Sequence, residues 1–326
     1  MVSNQINSVN IFYPIQDQLL RVEELMRNQA DERHPDLNAA FKHLLSSGGK
    51  RVRPALVLLI GGMLGGDPNL LVTLAAAIEL LHTATLVHDD LIDGAFLRRG
   101  IATLNSHWSP AATVLTGDFI FSRAARLAAD TNSVMLMRLF SETLTTIVNG
   151  EITQLFSSRS LVDRSDYDRR IYAKTASLFE LSTRTAAMLS PVEPEIVENA
   201  RRFGYSIGMA FQLVDDILDF TGLQATLGKP VASDLRQGII TLPTLYYCES
   251  HSDDATLTAI LKGERVQEES IIQLVDAIRE SGAILRATRE AERYVDEGLE
   301  ILRSFPECVE RQSLEELSRF FMRREM

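Results

Sequence analysis

The feature that most constrains the fold is a long apolar segment, Leu70 to Asp93, whose residues follow helical spacing. As a helix it would be apolar nearly all the way round, so other helices must surround it. Such a helix would extend roughly 36 Å. Its aspartates, Asp89 and Asp90 among them, gather at the C-terminal end. We therefore expect the reactive site at that end of the helix.

Helical periodicity recurs along nearly the whole chain, whereas the alternation typical of strands is weak. Glycine and proline stop signals separate the periodic segments. The other predicted helices are Gln16–Gln29, Asp36–Ser46, Arg53–Leu64, Asp118–Ala129, Ser133–Phe156, Asp166–Met188, Pro194–Phe220, Leu242–Glu249, Thr256–Lys262, Glu268–Ser281, Ala283–Ser304 and Leu314–Phe321. No low-complexity linker divides the chain. The prediction is an all-α fold, with residues 1–326 forming one domain and one large helical bundle.

Composition narrows the classes of function. The 326 residues are 45% hydrophobic and carry a net charge of −11, which argues against nucleic acid as a partner because no basic excess attracts polyanions. Cys248 and Cys308 have neither zinc nor disulfide spacing. The polar start, Met1–Val9, lacks a signal-peptide core, and charged residues interrupt Leu70–Asp93. We therefore expect a cytoplasmic protein that is not integral to a membrane.

Two motifs of the form Asp-Asp-x-x-Asp end two apolar helical segments. They comprise Asp89, Asp90 and Asp93 in the first motif and Asp215, Asp216 and Asp219 in the second. On a helix, positions i and i+4 lie on one face, roughly 6 Å apart along the axis. One such motif alone could equally be the acidic end of a solvent-exposed helix. Two copies in one chain favour Mg²⁺ binding through oxygen ligands. If the motifs face each other, they would clamp a diphosphate through several Mg²⁺ ions.

Positive charges flank the first motif in the sequence. Lys50, Arg51 and Arg53 follow a glycine turn at a predicted helix start, where backbone N–H groups and the helix dipole favour anions. Arg98 and Arg99 follow the motif, and guanidinium groups bind phosphate oxygens in a bidentate way. Either basic group alone could equally belong to a solvent-exposed turn. With the acidic motif between them, they predict phosphate binding.

These motifs, in this order, resemble the trans-type prenyl (polyprenyl) diphosphate synthases, and in particular their medium- to long-chain members. The matching residues, spread over roughly residues 48–247, are Gly49-Lys50 with Arg53-Pro54, His82, the first aspartate motif with Arg98-Arg99-Gly100, Gly117-Asp118, Gly150-Glu151, Lys174-Thr175, Phe211-Gln212, the second aspartate motif, and Gly228-Lys229 with Asp234. The resemblance implies an isoprenoid synthase fold around a central cavity. It also implies a homodimer whose substrates are isopentenyl diphosphate and an allylic diphosphate.

The resemblance further implies a role for each matching residue. Those that would hold the diphosphate of isopentenyl diphosphate are Lys50, Arg53, His82 and Arg99. Those that would hold the allylic diphosphate or stabilise its departure, and so act in catalysis, are Arg98, Lys174, Thr175, Gln212 and Lys229. Two or three Mg²⁺ ions per active site would be bound mainly by Asp89, Asp93 and Asp215, with Asp90, Asp216 and Asp219 as further ligands or as support.

The sequence departs from the family pattern in three places. Ile239 stands where many members have a further lysine after Gly238, which removes one cation from the expected allylic pocket. Gly94 follows the first motif where a polar residue is usual, and it is expected to loosen the loop that leads to Arg98. The C-terminal Arg323–Met326 matches a basic tail only approximately.

The expected reaction begins when Mg²⁺ and the cations stabilise the leaving diphosphate. The isopentenyl double bond then attacks the allylic carbocation, and a proton is lost. The growing chain would run along the Leu70–Asp93 helix, past Ala84, Leu81 and Ile78. Ala84 is small and the other two are not rings, so we expect a product longer than C20.

Two alternatives also fit parts of this sequence pattern. A class I terpene cyclase shares the ionisation chemistry and the helical fold, but it typically carries only one aspartate-rich motif. The other alternative is a non-catalytic or partner-dependent subunit of a heteromeric synthase. Such subunits usually lose aspartates, whereas this chain keeps all six in its two motifs.

Overall fold

The computed structural model describes residues 11–30, 34–46, 49–98, 100–156, 163–222 and 231–323. Arg99 and Lys229, both predicted site residues, lie outside the described residues. The helices are α1 (Gln16–Arg27), α2 (Pro35–Ser46), α3 (Val52–Met63), α4 (Pro68–Ile92), α5 (Pro110–Asp130), α6 (Val134–Phe156), α7 (Arg164–Ile171), α8 (Ser177–Met188), α9 (Pro194–Thr221), α10 (Ser233–Arg236), α11 (Leu242–Cys248), α12 (Ala255–Leu261), α13 (Glu268–Glu280), α14 (Ala283–Leu302) and α15 (Val309–Met322). The predicted all-α class is confirmed.

The structure differs from the predicted elements at two places that matter for the site. The predicted helix Asp166–Met188 contains a π-helical turn, Tyr172–Ala176, between α7 and α8. A short antiparallel hairpin, β1 (Leu97–Arg98) and β2 (Ile101–Ala102), follows α4. Neither feature has a periodic sequence signal, because one is a single inserted turn and the other only two residue pairs.

The chain divides into two compact units. The first lies within residues 1–142, 178–204 and 302–316, and the second within residues 143–177, 205–301 and 317–326. The first aspartate motif belongs to the first unit and the second motif to the second unit. The expectation of one domain around a central cavity stays a prediction.

Helix α4 is the core of the first unit, where it packs against α1, α3 and α5. It begins at Pro68, and the N-cap Asp67 accepts hydrogen bonds from the backbone N–H groups of Asn69 (2.7 Å) and Leu70 (3.3 Å). Within the described residues, α4 is the one helix long and apolar enough to cross a membrane, but 67% of its most apolar stretch is buried inside the protein. That burial is typical of the core helix of a globular unit.

The second unit is built around the C-terminal part of α9. Leu213, Val214 and Ile217 on α9 pack with Tyr167 of α7 and Tyr294 of α14 in one buried cluster. A second cluster joins the end of α9 to the helices that follow it; its members include Phe220, Leu235, Ile240, Tyr247 and Ile278. The acidic residues of the second motif are therefore anchored on a helix whose apolar face is fully buried.

Candidate active site

The first aspartate motif occupies the last turn of α4, which closes with a Schellman motif. Gly94 has φ of +62°, a left-handed conformation that glycine adopts without steric cost. The Ala95 N–H donates to the Asp90 carbonyl (2.9 Å) and the Gly94 N–H donates to the Leu91 carbonyl (3.3 Å). The expectation that Gly94 loosens this loop was wrong, since glycine allows the helix to stop with its carbonyls satisfied.

The three carboxylates of the first motif have different environments. Asp89 is half-buried and Asp93 is exposed, whereas Asp90 is buried and accepts a hydrogen bond from Arg98 Nε at 2.8 Å. Burial raises the pKa of Asp90, and the positive charge of Arg98 opposes that shift. Asp90 therefore holds Arg98 beside the motif, while Asp89 and Asp93 keep surface for a metal ion.

The β1–β2 hairpin that carries Arg98 is held against the end of α4 by hydrogen bonds. Asn105 Nδ2 donates to the carbonyls of Asp90 (3.2 Å) and Ala95 (3.0 Å). Thr103 Oγ1 donates to the same Ala95 carbonyl at 2.7 Å. These contacts bridge the motif and the hairpin directly. The position of Arg98 therefore depends on Asn105, a residue that the sequence reasoning missed.

The three cations at the start of α3 do not act alike. Lys50 is exposed, and Arg53 lies over the Phe179 ring with its guanidinium carbon 5.0 Å from the ring centroid. Arg51 instead points inward and forms an ion pair with Glu79 at 3.0 Å. Sequence reasoning grouped Arg51 with the phosphate-binding cations, and its contacts now give it a structural role. His82 is half-buried on α4.

The second aspartate motif lies at the end of a buried hydrogen-bond chain. Thr175 Oγ1 donates to Gln212 Oε1 (2.5 Å), and Gln212 Nε2 donates to Asp216 Oδ1 (2.8 Å). The Tyr167 hydroxyl donates to the other oxygen of Asp216 at 2.8 Å. Thr175 and Gln212, which the resemblance paired with the allylic substrate, are therefore in contact with each other. Tyr167 also belongs to this hydrogen-bond chain, and the sequence did not predict it.

Burial raises the pKa of Asp216 to about 7, against the hydrogen bonds from Gln212 and Tyr167 and the positive charge of Arg170. Burial, together with the charge and hydrogen bond of Asp216, also raises the pKa of Tyr167 well above its ordinary value, so the phenol stays a donor. Both Asp216 oxygens accept hydrogen bonds from the protein. Asp216 is thus suited to support the metal ligands of the motif and not to bind the metal itself.

Asp219 has a similar supporting environment. Its two carboxylate oxygens accept from Ser233 Oγ and from the Asp234 N–H, each at 3.1 Å. Asp215 is half-buried and keeps accessible surface. The second motif therefore offers Asp215 as its most accessible carboxylate, and Asp219 ties α9 to the segment that begins at α10.

Lys174 and Thr175 lie in the π-helical turn between α7 and α8. A π turn adds a residue to the helix and so shifts the direction of the side chains around it, and such turns recur at functional sites. Here Lys174 is exposed while its neighbour Thr175 is buried against Gln212. The turn explains how adjacent helical residues take the different roles that the resemblance implies.

The residues predicted to set product length are packed in the core of the first unit. Ala84 is 3% exposed, while Leu81 and Ile78 have no exposed surface. Their role in product length stays a prediction, as do the substrate roles of the site residues in general.

Within the described ranges, no three His, Cys, Asp or Glu side chains gather into a preformed metal site. Mg²⁺ commonly uses only one or two carboxylates and completes its shell with substrate phosphates and water. Asp89 and Asp93 in the first unit, and Asp215 in the second, supply only oxygen donors, so the carboxylates of each unit by themselves fit this mode. The donor set suits a metal that arrives together with a diphosphate.

Comparisons with known proteins agree with the geometry. The polyprenyl synthetase family model matches residues 34–278. A relative from Geobacillus stearothermophilus, heptaprenyl diphosphate synthase component 2, is 36% identical over 95% of this chain and 97% of its own length. The chloroplastic solanesyl-diphosphate synthase 2 of Oryza sativa subsp. japonica is 34% identical over 99% of this chain and 81% of its own.

A solved structure extends this similarity to the fold. The polyprenyl synthase of Caulobacter crescentus CB15, whose crystal structure is described as complexed with calcium and isoprenyl diphosphate, superposes with a TM-score of 0.92. It is 32% identical, and the match covers 98% of each chain. The predicted isoprenoid synthase type of fold is confirmed. This chain belongs to the polyprenyl synthetase family.

Proposed function

We propose that this chain is a Mg²⁺-dependent prenyltransferase that adds isopentenyl diphosphate head to tail to an allylic diphosphate. Its product would be a trans-polyprenyl diphosphate longer than C20. The observation that carries the proposal is the second aspartate motif, where protein donors hold Asp216 and Asp219 while Asp215 stays accessible. Full-length relatives named for heptaprenyl and solanesyl diphosphate support the long product.

Bound Mg²⁺, two or three ions held by Asp89, Asp93 and Asp215, would neutralise charge on the leaving diphosphate. Around it the chain supplies fixed cations. Arg98 on the hairpin and exposed Lys174 would donate to the allylic diphosphate as its C–O bond breaks. Preorganised donors of this kind act on charge that develops in the transition state, and therefore raise the rate.

The second substrate would bind at the other cations of the first unit. Lys50, Arg53 and His82 would hold isopentenyl diphosphate so that its double bond meets the allylic cation. Phe179 stacks on the guanidinium of Arg53 and limits its orientations. The apolar helices exclude water, which would otherwise quench the cation. The departed diphosphate is the base that we expect to take the proton.

The deciding experiment incubates the purified chain with Mg²⁺, isopentenyl diphosphate and allylic primers of several lengths. Products are dephosphorylated and sized by reversed-phase chromatography. Elongation that stops when EDTA removes the metal supports the proposal. Release of a cyclic hydrocarbon from the primer alone would instead support the terpene cyclase alternative, which the family assignment argues against.

A partner-dependent enzyme is the second candidate, because the relative from Geobacillus stearothermophilus is named a component of a synthase. A chain that elongates nothing alone but gains activity with a second subunit would favour it. The homodimer and the cytoplasmic location are also proposals. Light scattering of the purified protein tests the first, and fractionation of cells tests the second.

A further inference from the structure

The second aspartate motif lies beside a position where the expected cation is missing. The backbone N–H of Ala232 donates to the Asp219 carbonyl (2.7 Å), and the Ile239 N–H donates to the Asp234 carbonyl (2.9 Å). Asp234 in turn donates its N–H to the Asp219 carboxylate. Position 239 is therefore tied to the motif through the backbone. Its side chain is the apolar Ile239, where resembling enzymes often have a lysine.

Arg170 lies on α7, which comes earlier in the sequence, and it contacts the same segment. Its Nη2 donates to the carbonyl of Ile240, the residue next to Ile239. Its guanidinium carbon lies 5.6 Å from the centroid of the Tyr167 ring, and the Tyr167 hydroxyl donates to Asp216. One side chain thus contacts both the segment that lacks the lysine and the tyrosine that holds the buried carboxylate.

Arg170 differs from other arginines of the second unit in the charges around it. Among the described residues, no carboxylate lies within ion-pair distance of its guanidinium. Other arginines of the second unit are neutralised: Arg164 by Glu290 and Asp168, Arg236 by Glu268, and Arg279 by Asp276. The hydrogen bond that the structure shows for Arg170 goes to a neutral carbonyl, and the positive charge of Arg170 lowers the pKa of Asp216.

We propose that Arg170 supplies to the second aspartate motif the positive charge that Ile239 does not. Arg170 is then a positioning residue, since it acts through Tyr167 and Asp216 on carboxylates that would bind the metal, and the metal would in turn bind the allylic diphosphate. This inference rests on the proposed prenyl transfer. It predicts that the charge can be moved from position 170 to position 239, whereas a purely structural arginine cannot be replaced in that way.

The experiment compares the wild type with Arg170→Lys, Arg170→Gln and the double variant Arg170→Gln/Ile239→Lys. A glutamine keeps a donor for the Ile240 carbonyl but removes the charge. We expect Arg170→Gln to lower kcat/KM for the allylic diphosphate by about tenfold to a hundredfold, with the KM for isopentenyl diphosphate nearly unchanged. Arg170→Lys should retain most of the activity, and the double variant should recover most of the loss.

Three results would overturn the proposal: wild-type kinetics in Arg170→Gln, an equal rise of both KM values, or no recovery in the double variant. Melting temperatures are measured alongside. Arg170→Gln can also lower the melting temperature. In that case the proposal is supported if the double variant regains the kinetics with the allylic diphosphate while its melting temperature stays low. If the double variant regains neither the kinetics nor the melting temperature, the proposal is overturned.

Failure of the proposed function is recognised separately. If the wild type itself elongates no primer, prenyl transfer by this chain is wrong. The same variants are then compared by calorimetric binding of inorganic pyrophosphate with Mg²⁺, which needs the cation but no catalysis. Weaker binding in Arg170→Gln with recovery in the double variant supports the role of Arg170, and equal binding by all four proteins overturns it.

Discussion

Arg51 and Glu79 form an ion pair inside the first unit, with Arg51 Nη1 3.0 Å from Glu79 Oε1. Their side chains are 14% and 7% exposed. Arg51 also donates to Glu23 on α1 and to the Leu45 carbonyl on α2, so its guanidinium connects α1, α2 and α4. Arg51 itself has a left-handed backbone (φ 47°), which is costly for a residue with a Cβ.

Removing one partner should therefore leave a poorly solvated charge. We expect Glu79→Ala to lower the free energy of unfolding by about 3 kcal/mol. The matched control is Arg27→Ala, which removes the exposed ion pair with Glu23 and should change that free energy by no more than about 0.5 kcal/mol. Urea unfolding measures both. Equal effects of the two substitutions would contradict the buried role of Arg51.

Gly117 allows α5 to approach the residue that precedes the first motif. A Cβ at position 117 would lie 2.1 Å from His88 Nε2. Gly117→Ala should thus displace the ring, lower stability by about 1–3 kcal/mol and reduce activity through the adjacent Asp89. Gly62→Ala is the control, because its Cβ would meet Glu310 Cγ at an ordinary 3.6 Å. Helix propensity predicts a stabilisation of about 0.5–1 kcal/mol there. Melting temperatures should therefore shift in opposite directions.

Asn105 should govern how well the hairpin presents Arg98. Asn105→Ala removes the two hydrogen bonds from Asn105 to the end of α4 and leaves the one from Thr103 Oγ1 to the Ala95 carbonyl. We expect the KM values for both diphosphates to rise by roughly tenfold or more, because misplaced binding groups lose much of their effect. Ser106→Ala, which removes only a local bond to the Thr103 carbonyl, should leave them unchanged. Steady-state kinetics decide, and unchanged KM values for Asn105→Ala would refute the positioning role.

Product length should respond to bulk at position 84. If the chain grows along α4, Ala84→Phe should shorten the product by at least one five-carbon unit, because the ring would block growth. Ala84→Ser keeps the size of the side chain and should leave product length as in the wild type. Reversed-phase chromatography of the dephosphorylated products compares them. An unchanged length in Ala84→Phe would place the growing chain elsewhere.

The proposed homodimer should depend on the apolar start of α5. Leu115 is 67% exposed and its neighbour Val114 is 40% exposed, as is typical of a surface that a partner covers. We expect Leu115→Glu to shift the protein to monomers, since a dimer would bury the new charge. Leu20→Glu on α1, at a position 62% exposed, is the control. Light scattering coupled to gel filtration measures the mass, and a Leu115→Glu dimer would exclude this surface.

Much of the fold and of the site follows from local sequence signals. The apolar run before Asp89 predicts a buried helix, because any helix with that pattern must be covered on all sides. Asp-Asp-x-x-Asp spacing places two carboxylates on one helical face wherever the helix lies. The glycine after Asp93 marks the end of α4. Its sequence context suggested a loose loop, but the structure shows a Schellman motif that closes the helix.

The contacts that distinguish one charged side chain from another depend on residues distant in the sequence. Lys50 and Arg51 are neighbours with the same charge, yet only the packing of α1, α2 and α4 directs Arg51 inward to Glu79. Thr175 in the π turn and Tyr167 on α7 both join the hydrogen-bond chain of Gln212 and Asp216, because packing brings these elements to α9. Sequence periodicity describes a single helix, whereas these contacts depend on how several helices pack together. Buried polar groups need hydrogen-bond partners, and this requirement favours the arrangement that the structure shows.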